Sequence, residues 1–207
     1  RDYYLKALEN HDNHLVILLR LAALDSIQRN KESMVKYLQQ AIESHPKAVE
    51  PRLVLARFYL SEGKSEQVAV LVGKFDKTQM RTPSVLELMS LSQLAKGDFV
   101  EARNTLEQFI QLQPRSAVAH HWLANAFEGQ NKPKQMRTAL EKSIELAPEY
   151  LPARLALARH LLRTGENELA AEHMAVLKKR APDHPEVMQL EAAEALTAGN
   201  TKLALEL

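Results

Sequence analysis

The eight histidines are the residues of this sequence best suited to chemistry, because imidazole is a common metal ligand and general base. Their spacing does not favour a metal site. His120 and His121 are consecutive, so on a helix their side chains diverge by about 100°. His160 and His173 fall on different predicted helices. We therefore predict that the histidines are solvated or line a groove, and that the chain holds no metal and no cofactor.

The triplet Gly63-Lys64-Ser65 imitates the end of a phosphate-binding loop. Such a loop has another glycine five residues earlier, and Phe58 stands there instead. The triplet therefore predicts a turn between two helices. HExxH and GxSxG motifs are absent, and so is cysteine. The sequence predicts a chain that is not an enzyme.

Charge and hydropathy narrow the range of partners. Lys and Arg number 27 against 26 Asp and Glu, which gives a net charge of +1 and no strong field to attract nucleic acid. The apolar run 15–19 ends at Arg20, well short of the roughly 18 residues that span a membrane. We predict neither nucleic-acid binding nor membrane insertion.

Proline and glycine recur with a period of 34 residues. Pro114, Pro148 and Pro182 are 34 residues apart. The same interval separates Gly63 from Gly97 and Gly165 from Gly199. These series predict a single array with repeats at 15–48, 49–82, 83–116, 117–150 and 151–184, the end of an earlier repeat at 1–14 and a truncated sixth repeat at 185–207. The uncapped ends, which include Leu203, Leu205 and Leu207, suggest a piece of a longer protein that could self-associate there.

Equivalent positions of the repeats carry similar residues. Position eight is small throughout: Ala22, Ala56, Ser90, Ala124, Ala158 and Ala192. Position twenty-four is large and apolar: Leu38, Val72, Leu106, Leu140 and Met174. Each repeat reads as two helices whose apolar faces need stacked neighbours to be buried. The second repeat departs late, at Phe75, Asp76 and Met80, so its second helix should end differently.

A 34-residue helix–turn–helix with leucine then a small residue, glycine, alanine and a closing proline resembles the tetratricopeptide repeat (TPR). This resemblance covers essentially the whole chain and implies an all-α, right-handed superhelix of antiparallel helix pairs. The family's tryptophan position holds Leu18, Arg52, Leu86, His120, Arg154 and Met188. The run 177–185 also looks like TPR lipoproteins of bacterial exopolysaccharide and protein-sorting systems (PEP-CTERM type).

The resemblance further implies a concave face formed by the first helices, with positions 2, 5, 9, 12 and 13 pointing inward. The candidate partner-binding residues on that face are His121, Asn125, Glu128, Leu155, Arg159, Leu162, Arg163, Leu53 and Arg57. Two arginines beside apolar residues suit an extended segment that carries an acidic side chain next to an apolar one. The alternative is that Glu128 pairs with Arg159 or Arg163 and nothing binds. The first repeat is apolar at these positions: Val16, Leu19, Ala23, Ser26 and Ile27.

The basic and amide clamp that chaperone-binding TPR domains use for a carboxyl terminus is missing. His121 and Asn125 fill its first two places, but Ala156, Glu186 and Leu190 fill the others. Two functions stay open: a protein-binding or peptide-binding scaffold of a bacterial envelope or exopolysaccharide assembly, and a regulatory or substrate-docking arm of an enzyme. The compartment, cytoplasm or bacterial envelope, also stays open.

Overall fold

In the computed structural model, which describes residues 1–10 and 13–197, the chain is all-helical, as predicted, with no strand among those residues. The helices are α1 (Asp2–Asn10), α2 (Leu15–Ile27), α3 (Lys31–Ser44), α4 (Glu50–Ser61), α5 (Ser65–Val72), α6 (Pro83–Lys96), α7 (Phe99–Leu112), α8 (Ala117–Gly129), α9 (Pro133–Leu146), α10 (Leu151–Thr164), α11 (Asn167–Arg180) and α12 (Pro185–Thr197). A short 3-10 turn covers Gln79–Arg81. Each 34-residue interval from 15 to 184 thus contains two helices.

The helices are grouped into two compact units, Arg1–Lys96 and Gly97–Leu207. In the first unit α2 packs against α3, α3 against α4, and α4 against both α5 and α6. In the second, α8 packs against α7 and α9, and α10 against α9, α11 and α12. Each helix therefore uses its neighbours in sequence to cover its apolar side, which is the packing expected of a repeat array.

Position eight of the repeat lies where helices approach closely. Ala22, Ala56, Ser90, Ala124 and Ala158 are each at most 2% exposed. Leu38, Leu106, Leu140 and Met174, at position twenty-four, are equally buried. The prediction that small residues permit close approach while large ones fill the seams is confirmed for these positions.

Position fifteen turns the chain between the two helices of a repeat. Gly63, Gly97 and Gly165 have φ between 70° and 81°, and Asn131 has φ of 56°. The turn predicted at Gly63 is confirmed, and Gly97, Asn131 and Gly165 turn the chain at the same position of their repeats. Gly199, the last glycine of the 34-residue series, lies outside the described residues. The first repeat makes the same turn with Arg29, at φ 59°.

Three repeats carry a residue with a side-chain nitrogen at position four, the family's tryptophan position. In each of them that nitrogen contacts a backbone carbonyl of the preceding loop. Arg52 donates to the Pro46 carbonyl, Arg154 Nη2 donates to that of Pro148 at 3.0 Å, and His120 Nε2 lies 3.4 Å from that of Pro114. Each bond spans six residues and fixes the start of the first helix on the preceding loop.

The second helix of the second repeat ends early, as its sequence predicted. α5 stops at Val72, and Asp76 Oδ1 then accepts hydrogen bonds from the amides of Thr78 and Gln79, both at 2.8 Å. Phe75 fills the space that a longer helix would occupy: it is buried and lies under the Arg52 guanidinium, 5.7 Å from the ring centroid.

Candidate functional site

Three histidines, His121, His160 and His173, contact polar neighbours within the array. His121 Nδ1 lies 3.2 Å from the Tyr150 hydroxyl, and burial lowers the pKa of His121 while raising that of Tyr150. The pKa of His160 is lowered by burial and by Arg163. Burial lowers the pKa of His173 as well, and Arg154 adds to the effect. These imidazoles therefore favour the neutral form.

Two negative findings concern the described residues alone. Within them, no group of three or more His, Asp or Glu is placed to hold a metal ion. No helix described there is both long and apolar enough to cross a bilayer.

The α8 part of the predicted site is accessible. His121 and Asn125 are half-buried, and Glu128 is exposed. Glu128 and Asn125 form no side-chain hydrogen bond or ion pair with any other described residue. Their polar atoms are therefore free to meet a partner.

The α10 part of the predicted site is only partly free. Arg159 is exposed and forms an ion pair with Glu186 of α12. Arg163 is exposed too, and its Nη2 lies 3.5 Å from His160 Nδ1. The alternative in which Glu128 neutralises one of these arginines is not what the structure shows.

One apolar member of the predicted site needs correction. Leu155 is 5% exposed and belongs to a buried cluster with Met174, Leu177 and Val187. It is covered because α12 packs across α10, so a partner cannot reach it. Leu162, by contrast, is half-buried at the margin of this cluster.

In the first unit, α2 and α4 border an apolar groove of about 600 Å³. Its walls carry Val16 and Ile27 of α2, which are 55% and 80% exposed, and Val54 of α4. Leu19, Ala23 and Ser26 line it as well. The apolar positions predicted for the first repeat thus line one groove.

The charged residues of this face lie on its rim. Arg20 and Glu50 line the groove, which places one cation and one anion beside apolar walls. Arg57 forms an exposed ion pair with Glu87 of α6 at 3.1 Å, and Leu53 is half-buried against the core of the first unit. Such a surface can hold the side chains of an extended segment while its rim contacts polar groups.

Profiles of the tetratricopeptide repeat match residues 88–135 and 129–194, which together span residues 88–194, just over half of the chain. The chain is a tetratricopeptide repeat protein.

Solved structures are similar to this TPR protein in fold. A structure of pilF from Pseudomonas aeruginosa superposes with a TM-score of 0.79 at 18% identity, over 93% of this chain and 87% of that one. PilW, described as a widely conserved type IV pilus biogenesis factor, gives 0.79 at 16% identity, over 91% and 87%. YrrB, described as a TPR protein with an unusual peptide-binding site, gives 0.61 at 18% identity, over 82% and 87%. No curated protein sequence matches the chain significantly.

Two exposed lining residues of the TPR groove, Arg20 and Val54, were not among the predicted inward positions. Both occupy position six of their repeats, directly after an inward-facing position. Val54 could have been recognised as a groove residue from the sequence, because its neighbours Leu53 and Leu55 already pack into the core and leave an apolar Val54 exposed.

Proposed function

We propose that this TPR protein is a non-catalytic scaffold that binds a protein partner, as an extended peptide segment, on the faces of its first helices. The observation that carries the proposal is the groove between α2 and α4. The side chains of Val16 and Ile27, both large and apolar, stay more than half exposed there. Contiguous exposed apolar surface of this kind is typical of binding sites.

The second unit supplies a polar face for the same class of partner. His121, Asn125 and Glu128 offer an imidazole, an amide and a carboxylate, and Arg163 offers a guanidinium. Because Arg163 forms no ion pair within the described residues, it can grip a carboxylate of the partner with two hydrogen bonds. An acidic side chain next to an apolar one, set against Leu162, fits this face.

We also propose a cellular role: the chain is part of a larger bacterial protein that acts in an envelope or exopolysaccharide-associated assembly. Support comes from its similarity to PilW, a type IV pilus biogenesis factor. Fractionation of cells that produce the complete protein tests this part. Recovery with membranes or periplasm is expected, and recovery in the cytoplasm would contradict it.

Site-specific photo-crosslinking tests the binding itself. A benzophenone amino acid is introduced singly at Ile27, in the groove, at Arg163, on the polar face, and at Leu169 of α11, an exposed apolar control. The proposal predicts a discrete protein adduct from Ile27 or Arg163 and none from Leu169. Equal adducts at all three positions would indicate unspecific contact and would contradict the proposal.

A further inference from the structure

The side of the array formed by the second helices carries a crevice of its own. In the fourth repeat it measures about 470 Å³ and lies between α8 and α9. Leu123 and Phe127 of α8 and Ala139 of α9 form its apolar floor. Gln135, Thr138 and Lys142 of α9 form its edge. None of these residues belongs to the first-helix face, because they occupy positions 7, 11, 19, 22, 23 and 26 of the repeat.

The second repeat has a matching crevice of about 380 Å³. Six of its lining residues stand at those same positions: Leu55, Tyr59, Gln67, Val70, Leu71 and Lys74. Gln39, Ile42 and Glu43 of α3 complete the lining, so this crevice also borders the preceding repeat. Both crevices therefore combine a leucine, a half-buried aromatic ring, a glutamine and a lysine in one arrangement.

The other complete repeats do not carry this combination. Position 11 holds Asp25, Gln93 and Leu161, position 19 holds Ser33, Glu101 and Leu169, and position 26 holds Gln40, Gln108 and Val176. A residue set demanded by helix packing would recur in every repeat, as position eight does. This set is confined to the second and fourth repeats, so the packing that all repeats share does not account for it.

The charges at the edge define what the crevices can accept. Lys134 and Lys142 border the crevice of the fourth repeat, and no acidic residue lines it. In the second repeat Lys74 shares the edge with Glu43, so one cation stands there beside one anion. Lys134 and Lys74 have no acidic partner among the described residues, and the partner of Lys142, Glu145, is exposed and 2.8 Å away. An apolar floor with cations at its edge complements an apolar side chain flanked by carboxylates.

We propose that each of the two crevices is by itself a docking site for a partner protein segment in which a leucine or phenylalanine is flanked by Asp or Glu. The apolar side chain lies on Leu123 and Phe127 in the fourth repeat, and on Leu55 and Tyr59 in the second. The carboxylates meet Lys134 and Lys142, or Lys74. The carboxamides of Gln135 and Gln67 are exposed beside them and can hydrogen-bond the peptide backbone.

Methyl NMR of the 207-residue chain tests the site residue by residue. The probe is an acetylated pentapeptide in which a leucine and a phenylalanine are flanked by three glutamates. It should shift the methyl signals of Leu123, Thr138 and Ala139, and those of Val70 and Leu71. The same peptide with glutamines in place of glutamates should bind about fivefold more weakly, because the exposed ion pairs are lost. Shifts confined to Val16, Leu19 and Val54, or no shift at all, would overturn the proposal.

Substitutions at position 22 supply matched controls. Thr138→Phe fills the crevice of the fourth repeat from an exposed position, so it should abolish the shifts at Leu123 and Ala139 without unfolding the chain. Asn104→Phe places the same ring at the same position of the third repeat, which is also exposed, and should leave those shifts unchanged. Loss of the shifts in both variants, or in neither, would contradict the assignment of this crevice.

Discussion

Arg159 of α10 forms an ion pair with Glu186 of α12, not with Glu128 of α8. This pair joins the first helices of two consecutive repeats and partly neutralises a cation on the predicted binding face. Arg163, one turn further along α10, has no such acidic partner among the described residues. The two arginines should therefore differ in how much they contribute to binding.

The first prediction is that Arg163→Ala weakens capture of the partner about tenfold, since a charge-assisted contact is lost. Arg159→Ala should weaken it less, because Glu186 already occupies that guanidinium. Lys179→Ala on α11 serves as the charge control. Lys178 is unsuitable, since it pairs with Glu191 at 3.1 Å and Glu194 at 2.9 Å. Titration of each variant with the captured partner measures the order, and equal loss from all three variants would contradict it.

The second prediction concerns position eight. Ala124→Leu adds volume where Ala124 is 1% exposed between Met136, Leu140 and Leu157, so it should cost about 1–3 kcal/mol of unfolding free energy. Ala95→Leu, on an exposed part of α6, should change stability by less than about 0.5 kcal/mol. Urea denaturation compares the two, and an unchanged midpoint for Ala124→Leu would refute the close-approach account.

The third prediction concerns position fifteen, where backbone conformation alone decides the outcome. Gly165 has φ of 80° and nothing within 4 Å of an added Cβ, so Gly165→Ala should cost about 1 kcal/mol through the left-handed backbone. Arg29→Gly removes the same strain at φ 59° and should raise stability by up to about 1 kcal/mol. Thermal denaturation of both variants measures these opposite signs, and a shift in the same direction would contradict the account.

The fourth prediction is that stability falls as the pH drops below about 6.5. Burial lowers the pKa values of His120, His121, His160 and His173, so the unfolded chain binds these protons more tightly than the folded chain. Their contribution is complete above the unfolded value of about 6.5 and is lost as the pH falls through the folded values. Urea midpoints at pH 7.5 and 5.5 should show the loss. His160→Gln should reduce it, because the buried imidazole is removed.

Much of the fold could be predicted because the 34-residue period places helices and turns at the same positions of every repeat. Residue type and position in the repeat were enough to predict the turns, which have positive φ at Gly63, Gly97 and Gly165. They were also enough to predict the burial of Ala56 and Ala124. The sequence also predicted that α5 ends differently from the other second helices, because Phe75 and Asp76 replace the usual residues there.

The candidate site could be predicted only in part, because contacts between repeats decide which side chains stay free. Leu155 fits an inward position, but Val187 and Leu190 of the next repeat cover it. Arg159 had Glu128 on one side and Glu186 on the other, and the sequence did not distinguish between them. The second-helix crevices were missed, although the shared residues at positions 11, 19 and 26 in the second and fourth repeats could have revealed them.

The fifth prediction is the most direct test of the central claim, that the first-helix groove binds the partner. Val16→Glu with Ile27→Glu places two charges on exposed walls of the groove, and Val100→Glu with Leu169→Glu places two on exposed apolar residues of second helices. Both variants should keep the helical signal and the melting temperature of the parent chain. The measurement is the dissociation constant of the partner identified by crosslinking. We expect a loss of at least about tenfold for the groove variant alone; equal affinity for the two variants would contradict the claim.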